Sequence, residues 1–123
     1  MNDSQDFTPA PVKPTITFDE FAKLDIRVGT ITAVDDVPGS DTLLRLTVDL
    51  GDHTRTILAG MKGERDEPSE IVGQQALFVV NLAPRKMMGL TSEGMLFDMG
   101  YADGLTPVLL QPEAPMPNGA RAG

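Results

Sequence analysis

The stretch NLAPRKMMGLTSEGM, from Asn81 to Met95, gathers residue types that can recognise nucleic acid. Arg85 and Lys86 can neutralise phosphates. Met87 and Met95 offer polarizable surface against which a planar ring can lie. Asn81 and Ser92 carry groups that hydrogen-bond base edges or sugars. A plainer reading fits the same residues. Pro84 ends strand pairing, the two cations are solvated, and Met87 and Met88 fill the end of a core. Residue types alone leave both readings open.

The rest of the chain bounds the choice. Its 123 residues predict one domain, and 41% apolar residues allow one real core. The net charge of −8 opposes indiscriminate adhesion to nucleic acid or anionic lipid. The charge is segregated, however. Asp35, Asp36 and Asp41 cluster at one turn, and Glu64, Asp66, Glu67 and Glu70 in one loop, whereas residues 81–95 set Arg85 and Lys86 against Glu93 alone. Segregation of this kind is what an electrostatic site needs. There is no cysteine, so disulfides and thiolate metal sites are excluded. No apolar run approaches the ~20 residues that cross a bilayer, so no membrane insertion is expected. The first residues lack the pattern of a secretory signal, which predicts a cytoplasmic protein. A start at Met1 and an end soon after the predicted fold favour a free-standing protein.

Catalytic chemistry is sparse. His53 is the one histidine, and it falls in a polar turn. No nucleophile elbow, phosphate-binding glycine loop or metal-ligand spacing accompanies it. The chain is therefore predicted to be no enzyme and to need no metal or cofactor.

The elements that position the central stretch are mostly strands. Residues 1–14, with Pro9, Pro11 and Pro14, read as a disordered tail. Thr17 and Glu20 predict a capping box, with Ile16 and Phe21 as its hydrophobic staple. Phe18, Phe21 and Leu24 give the short helix that follows one apolar face. Strands are predicted over Ile26–Val34, over Leu43–Leu50, where Leu44, Leu46, Val48 and Leu50 alternate with polar residues, and over Thr54–Gly60. Gly29 suits a barrel corner. A short helix from Pro68, with Ile71 and Val72 covering the barrel end and Gly73 as its cap, leads to strands over Gln75–Leu82 and Glu93–Gly100. Pro107–Pro112 can add a pairing segment, and the last residues read as loop or tail. Three meandering strands, a helical connection and two more strands predict an all-β, five-stranded OB-fold Greek-key barrel with a short N-terminal helix and a C-terminal extension. The domain is placed at residues 15–119, with residues 120–123 as tail.

Three segments resemble a known family: FAKLDIRVGTI (Phe21–Ile31), GSDTLLRLTVDLG (Gly39–Gly51) and NLAPRKMMGLTSEGM. They are similar to the tRNA-binding domain found at the C-terminus of many bacterial methionyl-tRNA synthetases, in EMAP-II-like cofactors and in stand-alone tRNA-binding proteins. The likeness spans about residues 16–119. It implies an OB barrel that binds tRNA and, for stand-alone members, a homodimer. It places Asn81, Lys86, Met87, Ser92, Glu93 and Met95 at the core of the site, with Arg27, Arg45 and Arg85 beside it. It gives Phe18, Phe21 and Leu24 a role in the dimer contact, although their spacing fits equally with closing a monomeric barrel. No tryptophan and a single tyrosine fit a structured RNA read at a few splayed bases better than long single strands.

The ending PVLLQPEAPMPNGARAG resembles a second branch, the CsaA-type export chaperones, which are small dimers. That likeness implies unfolded preproteins or export machinery as partners, with Met87, Met88, Leu90 and Phe97 as the apolar contacts. Thr42 stands where tRNA-binding domains commonly carry lysine, and AGMKGERDEPSE is acidic for an RNA-facing loop.

Overall fold

A computed structural model describes residues 7–123. The tail expected over residues 1–14 lies partly outside the described residues; its described part has no regular structure up to Thr17. There the capping box forms as predicted. Thr17 Oγ1 accepts from the Glu20 N–H at 3.1 Å, and Glu20 Oε1 accepts from the Thr17 N–H at 3.0 Å. The helix it starts, α1, is a single turn, Phe18–Phe21.

Strand β1 (Ile26–Asp36) is the spine of the fold. Its first half pairs with β4 (Gln75–Val79) and its second half with β2 (Leu44–Asp49), both antiparallel. Gly29 precedes Thr30, the residue at which the two pairings meet. A Cβ on Gly29 would lie 2.6 Å from Val48 Cγ1, so no other residue fits without displacing the core. β2 buries Leu44, Leu46 and Val48 and turns Arg45, Thr47 and Asp49 outward, as its alternation requires. β3 (Thr54–Ala59) follows through the turn at Gly51-Asp52. A 3-10 turn, Pro68–Ile71, stands where a short helix was expected. It plugs the barrel end with fully buried Ile71, while Val72 is exposed. The order β3-β2-β1-β4-β7 (β7 being Met95–Met99) contains the five predicted barrel strands, curled around Ile31, Leu46, Ile57, Phe78 and Leu96.

Two features go beyond the expected outline. Residues 85–92 form a separate antiparallel hairpin of β5 (Arg85–Met87) and β6 (Leu90–Ser92). The C-terminal segment is also built into the fold. β8 (Val108–Leu109) pairs with β7. β9 (Arg121–Ala122), placed where a tail was expected, pairs with Ile26 and Arg27 on the edge of β1 that β2 leaves free. Asn118 secures it: its Oδ1 accepts from Thr30 Oγ1 at 2.8 Å and from Gln75 Nε2 at 3.0 Å. Among the described residues, no helix is long and apolar enough to cross a membrane.

Candidate nucleic-acid interface

The hairpin is the scaffold of the candidate site. Met87 faces Leu90 across a two-residue turn, Met88-Gly89, and both turn residues have positive φ, 52° and 80°. That is the geometry a tight β-hairpin demands. Met88 is the one non-glycine residue in it among the described residues, at a strain on the order of 1 kcal/mol. Its tip approaches Gly39, so the hairpin leans toward the β1–β2 turn.

Alternation along the hairpin separates its cations. Lys86 pairs with Thr91 on the outer face, and both are exposed. Arg85 shares the other face with half-buried Met87 and lines a cleft beside Leu58, Met95 and Leu96. The ion pairs of the described residues involve Arg27, Arg45, His53, Lys62, Arg65 and Arg121; Arg85 and Lys86 are in none.

Ser92 and Glu93 occupy a different kind of position. Ser92 is 4% exposed. Its Oγ accepts from the Leu58 N–H at 2.9 Å and donates to the Gly94 carbonyl at 3.1 Å. The Glu93 backbone N–H donates to the Thr56 carbonyl at 2.9 Å, and its Oε1 accepts from the Thr56 N–H at 3.0 Å. Serine and glutamate thus close the barrel between β3 and β7, replacing ladder hydrogen bonds with side-chain ones. For Ser92 the expectation of a surface group meeting a base is corrected: its hydroxyl has both partners inside the protein.

Asn81 is likewise engaged. Its Oδ1 accepts from the Asp25 N–H at 2.8 Å and its Nδ2 donates to the Lys23 carbonyl at 2.6 Å. It therefore ties the link between α1 and β1 to the start of the central stretch, leaving an exposed residue whose amide positions backbone. Met95 is exposed on the outer face of β7, in line with Phe97 and Met99. Met88 is exposed and Leu90 is half-buried.

Of the flanking arginines, Arg27 is held by Asp25, with Nε to Oδ1 at 3.0 Å and Nη2 to Oδ2 at 3.0 Å. Arg121 reaches the same carboxylate at 3.2 Å. The hydrogen bond from Arg27, with help from Arg121 and against partial burial, holds Asp25 below the usual carboxylate range. Arg45 lies 3.8 Å from Asp35, toward the acidic turn.

Sequence reasoning missed Arg55 and Arg121. Arg55 Nη1 donates to the carbonyls of Val80, at 2.5 Å, and Glu93, at 3.0 Å, while its Nε donates to His53 Nε2 at 3.1 Å. His53 Nδ1 lies 2.6 Å from Asp52, whose pKa the imidazole lowers. This chain of contacts pins the base of the central stretch to the β2–β3 turn. No alternation marked Arg55, because β3 reads as three polar residues followed by three apolar ones and places Arg55 on the same face as buried Ile57; nothing in a proline-rich ending announced Arg121.

Among the described residues, no three of His, Asp and Glu gather as metal ligands. The geometry offers a cationic hairpin, soft apolar side chains beside it, and arginines at its base and at the start of β1 that are held by hydrogen bonds.

Residues 26–121 match the family described as "Putative tRNA binding domain". Methionine–tRNA ligase of Bacteroides fragilis is 42% identical over 109 residues, which is 89% of this chain and 16% of the ligase. The chain thus spans about a sixth of that relative's length. A methionyl-tRNA synthetase-related protein of Pyrococcus horikoshii superposes with a TM-score of 0.82 at 32% identity, covering 90% of this chain and all of that one. The chaperone CsaA of Bacillus anthracis does so with a TM-score of 0.77 at 32% identity, covering 89% of this chain and all of that one. The barrel, the hairpin and the match over residues 26–121 lead to one conclusion: the chain belongs to the tRNA-binding-domain family.

Proposed function

We propose that this chain is a non-catalytic tRNA-binding protein that acts as a homodimer and reads RNA by shape and by a few unstacked bases. The single observation that carries the reading is that Arg85 and Lys86, on a projecting hairpin of an acidic protein, have no acidic partner among the described residues. Lys86 is the phosphate contact on the outer face, Arg85 the one at the cleft. Met87 and Met95 supply surface for a base. Asn81, Ser92 and Glu93 hold the hairpin in place, and Arg27 and Arg121, two guanidiniums on the single carboxylate of Asp25, leave one net positive charge at the barrel end.

Dimerisation is supported by α1 and its link. Phe18 is 77% exposed, and Phe21 and Leu24 are each more than two-fifths exposed. The alternative reading, that these residues close a monomeric barrel, draws on the covered half of Phe21 and Leu24 and leaves Phe18 unexplained. Sedimentation of wild type and Phe18→Ser tests the contact; a monomeric wild type removes this part of the proposal.

Titration with tRNA at several salt concentrations tests the RNA reading. Phosphate neutralisation releases counterions, so affinity falls steeply with salt. Lys86→Ala should lower the slope of log K against log salt by about 0.7–0.9. Salt-insensitive association, or none, removes the reading.

A second reading has its own support. Met95, Phe97 and Met99 alternate on the outer face of β7, with Val108 opposite Met99, and all four are exposed. Together with Met88 they offer adaptable apolar surface for unfolded polypeptide, as flexible methionines allow. Calorimetry with short apolar peptides separates the two readings, because apolar burial gives a negative heat-capacity change and little salt dependence.

A further inference from the structure

Beyond the seam made by Ser92 and Glu93, β3 and β7 part, and a cleft of about 370 Å³ opens between them. That is within the ~300–1,000 Å³ typical of small-molecule sites. Leu58 and Leu96 form its apolar floor, and Met95 and Tyr101 stand at its walls. Tyr101 is the one tyrosine of the chain and is well exposed. Three charged residues also line the cleft: Glu64, Asp98 and Arg85. None of the three forms an ion pair with another described residue, although two acids and a guanidinium share one cleft. Partial burial raises the pKa of Glu64, and the charge of Asp98 raises it further. The cleft therefore holds acceptors that gain from N–H donors, and a cation that gains from an anion.

One ligand class meets all of these conditions. A lysine or arginine side chain would satisfy the acids but would face Arg85. A nucleotide brings a flat ring for the apolar slot and a phosphate for Arg85. Among the bases, guanine presents adjacent N1–H and N2–H donors on its Watson–Crick edge, which match a carboxylate. Cytosine and adenine present one exocyclic amine there, and the N3–H of uracil is flanked by carbonyl oxygens that a carboxylate repels. We infer that this cleft receives an unstacked guanine of the bound RNA, with Glu64 and Asp98 accepting from its Watson–Crick edge, Tyr101 and Met95 against its faces, and Arg85 on its phosphate. The inference rests on the tRNA-binding reading and names the base that reading leaves open.

The test uses a stem-loop RNA with a single unpaired guanine and the same RNA with adenine in its place. Wild type should prefer the guanine loop by roughly tenfold, the value of a good bidentate contact. Glu64→Ala/Asp98→Ala should bring the two affinities together while leaving the salt slope unchanged, since no phosphate contact is lost. Both acids lack partners, so the melting temperature should hold. A second measurement needs no variant: guanosine 5′-monophosphate should shift the amide resonances of Leu58, Gly60 and Leu96, and adenosine 5′-monophosphate should not. Equal affinity of wild type for both loops overturns the inference, as does a preference that survives in the double variant. A lysine peptide that shifts those amides when the nucleotide does not overturns it as well. If tRNA binds with a steep salt slope but without base preference, only the guanine site falls; if no RNA binds, the parent reading falls with it.

Discussion

Two adjoining surfaces, the β1–β2 turn and the hairpin whose Met88 tip approaches Gly39 in that turn, carry cations in opposite circumstances. At the β1–β2 turn, Arg45 lies 3.8 Å from Asp35 and Lys62 lies 3.5 Å from Asp36, with Asp41 close in sequence. At the β5–β6 hairpin, Arg85 and Lys86 form no ion pair among the described residues, although Glu64 and Asp98 line the same cleft as Arg85. Counting lysines and arginines would rate the two surfaces alike. Pairing distinguishes them. A cation beside a carboxylate presents a dipole, whose field dies away quickly, whereas an unpaired cation presents a net charge that acts over a Debye length of ~8 Å at physiological salt. The net charge of −8 is therefore compatible with an anion-binding surface, provided the cations of that surface stay unpaired.

The largest effect should come from reversing the unpaired surface. Arg85→Glu/Lys86→Glu should weaken tRNA binding about 100-fold or more at low salt, since two attractions become repulsions. Fluorescence anisotropy across a salt series reads this directly; a loss under about fivefold would mean the hairpin does not face RNA.

Next in size is a variant that separates holding the hairpin from touching the ligand. Ser92→Ala leaves the buried Leu58 N–H without its acceptor, which should cost about 1–3 kcal/mol of stability. Urea unfolding measures the cost. Affinity for tRNA at low temperature, where the variant is folded, should change little, in contrast with the hairpin reversal.

A smaller effect concerns pH. Asp25 is held below its ordinary pKa by Arg27 and Arg121. A depressed folded-state pKa adds stability that is present above the unfolded value of about 3.9 and is lost as pH falls through the folded value. Wild type should lose this contribution in the acid range below about pH 4, and Asp25→Asn should not show that step. Equal acid profiles for the two proteins would exclude it.

The smallest effect belongs to the paired surface. Arg45→Ala removes one long, exposed ion pair, so stability should shift by no more than about 0.5 kcal/mol. Its tRNA affinity should fall less than about twofold. A larger fall would place RNA across the acidic turn and erase the contrast between the two surfaces.

Legibility in the sequence followed the range of the interactions involved. The capping box at Thr17 and Glu20 and the alternation of Leu44, Leu46 and Val48 are local patterns, and both are present as expected. The β5–β6 hairpin was hidden because its strands are three residues each and its turn is Met-Gly, not the Asn-Gly that usually announces positive φ at two successive positions. β9 was hidden because a proline-rich ending carries no periodicity; its place is set by Asn118 reaching Thr30 and Gln75 far away in sequence. Within the candidate site, residue types identified Arg85 and Lys86 as cations but could not say that their charges stay unpaired. Nor could they distinguish Ser92, which bonds inward, from a serine that meets solvent.

By itself the sequence determined the five barrel strands, the β1–β2 and β2–β3 turns, the charge segregation and the family, because periodicity, turn chemistry and residue order are local and survive without a folded partner. Only the tertiary structure decided which polar groups face outward. Closing β3 against β7 consumes the hydroxyl of Ser92 and the carboxylate of Glu93, and anchoring α1 consumes the amide of Asn81. A buried N–H must find an acceptor, and which acceptor lies within reach is settled when strands distant in sequence come together.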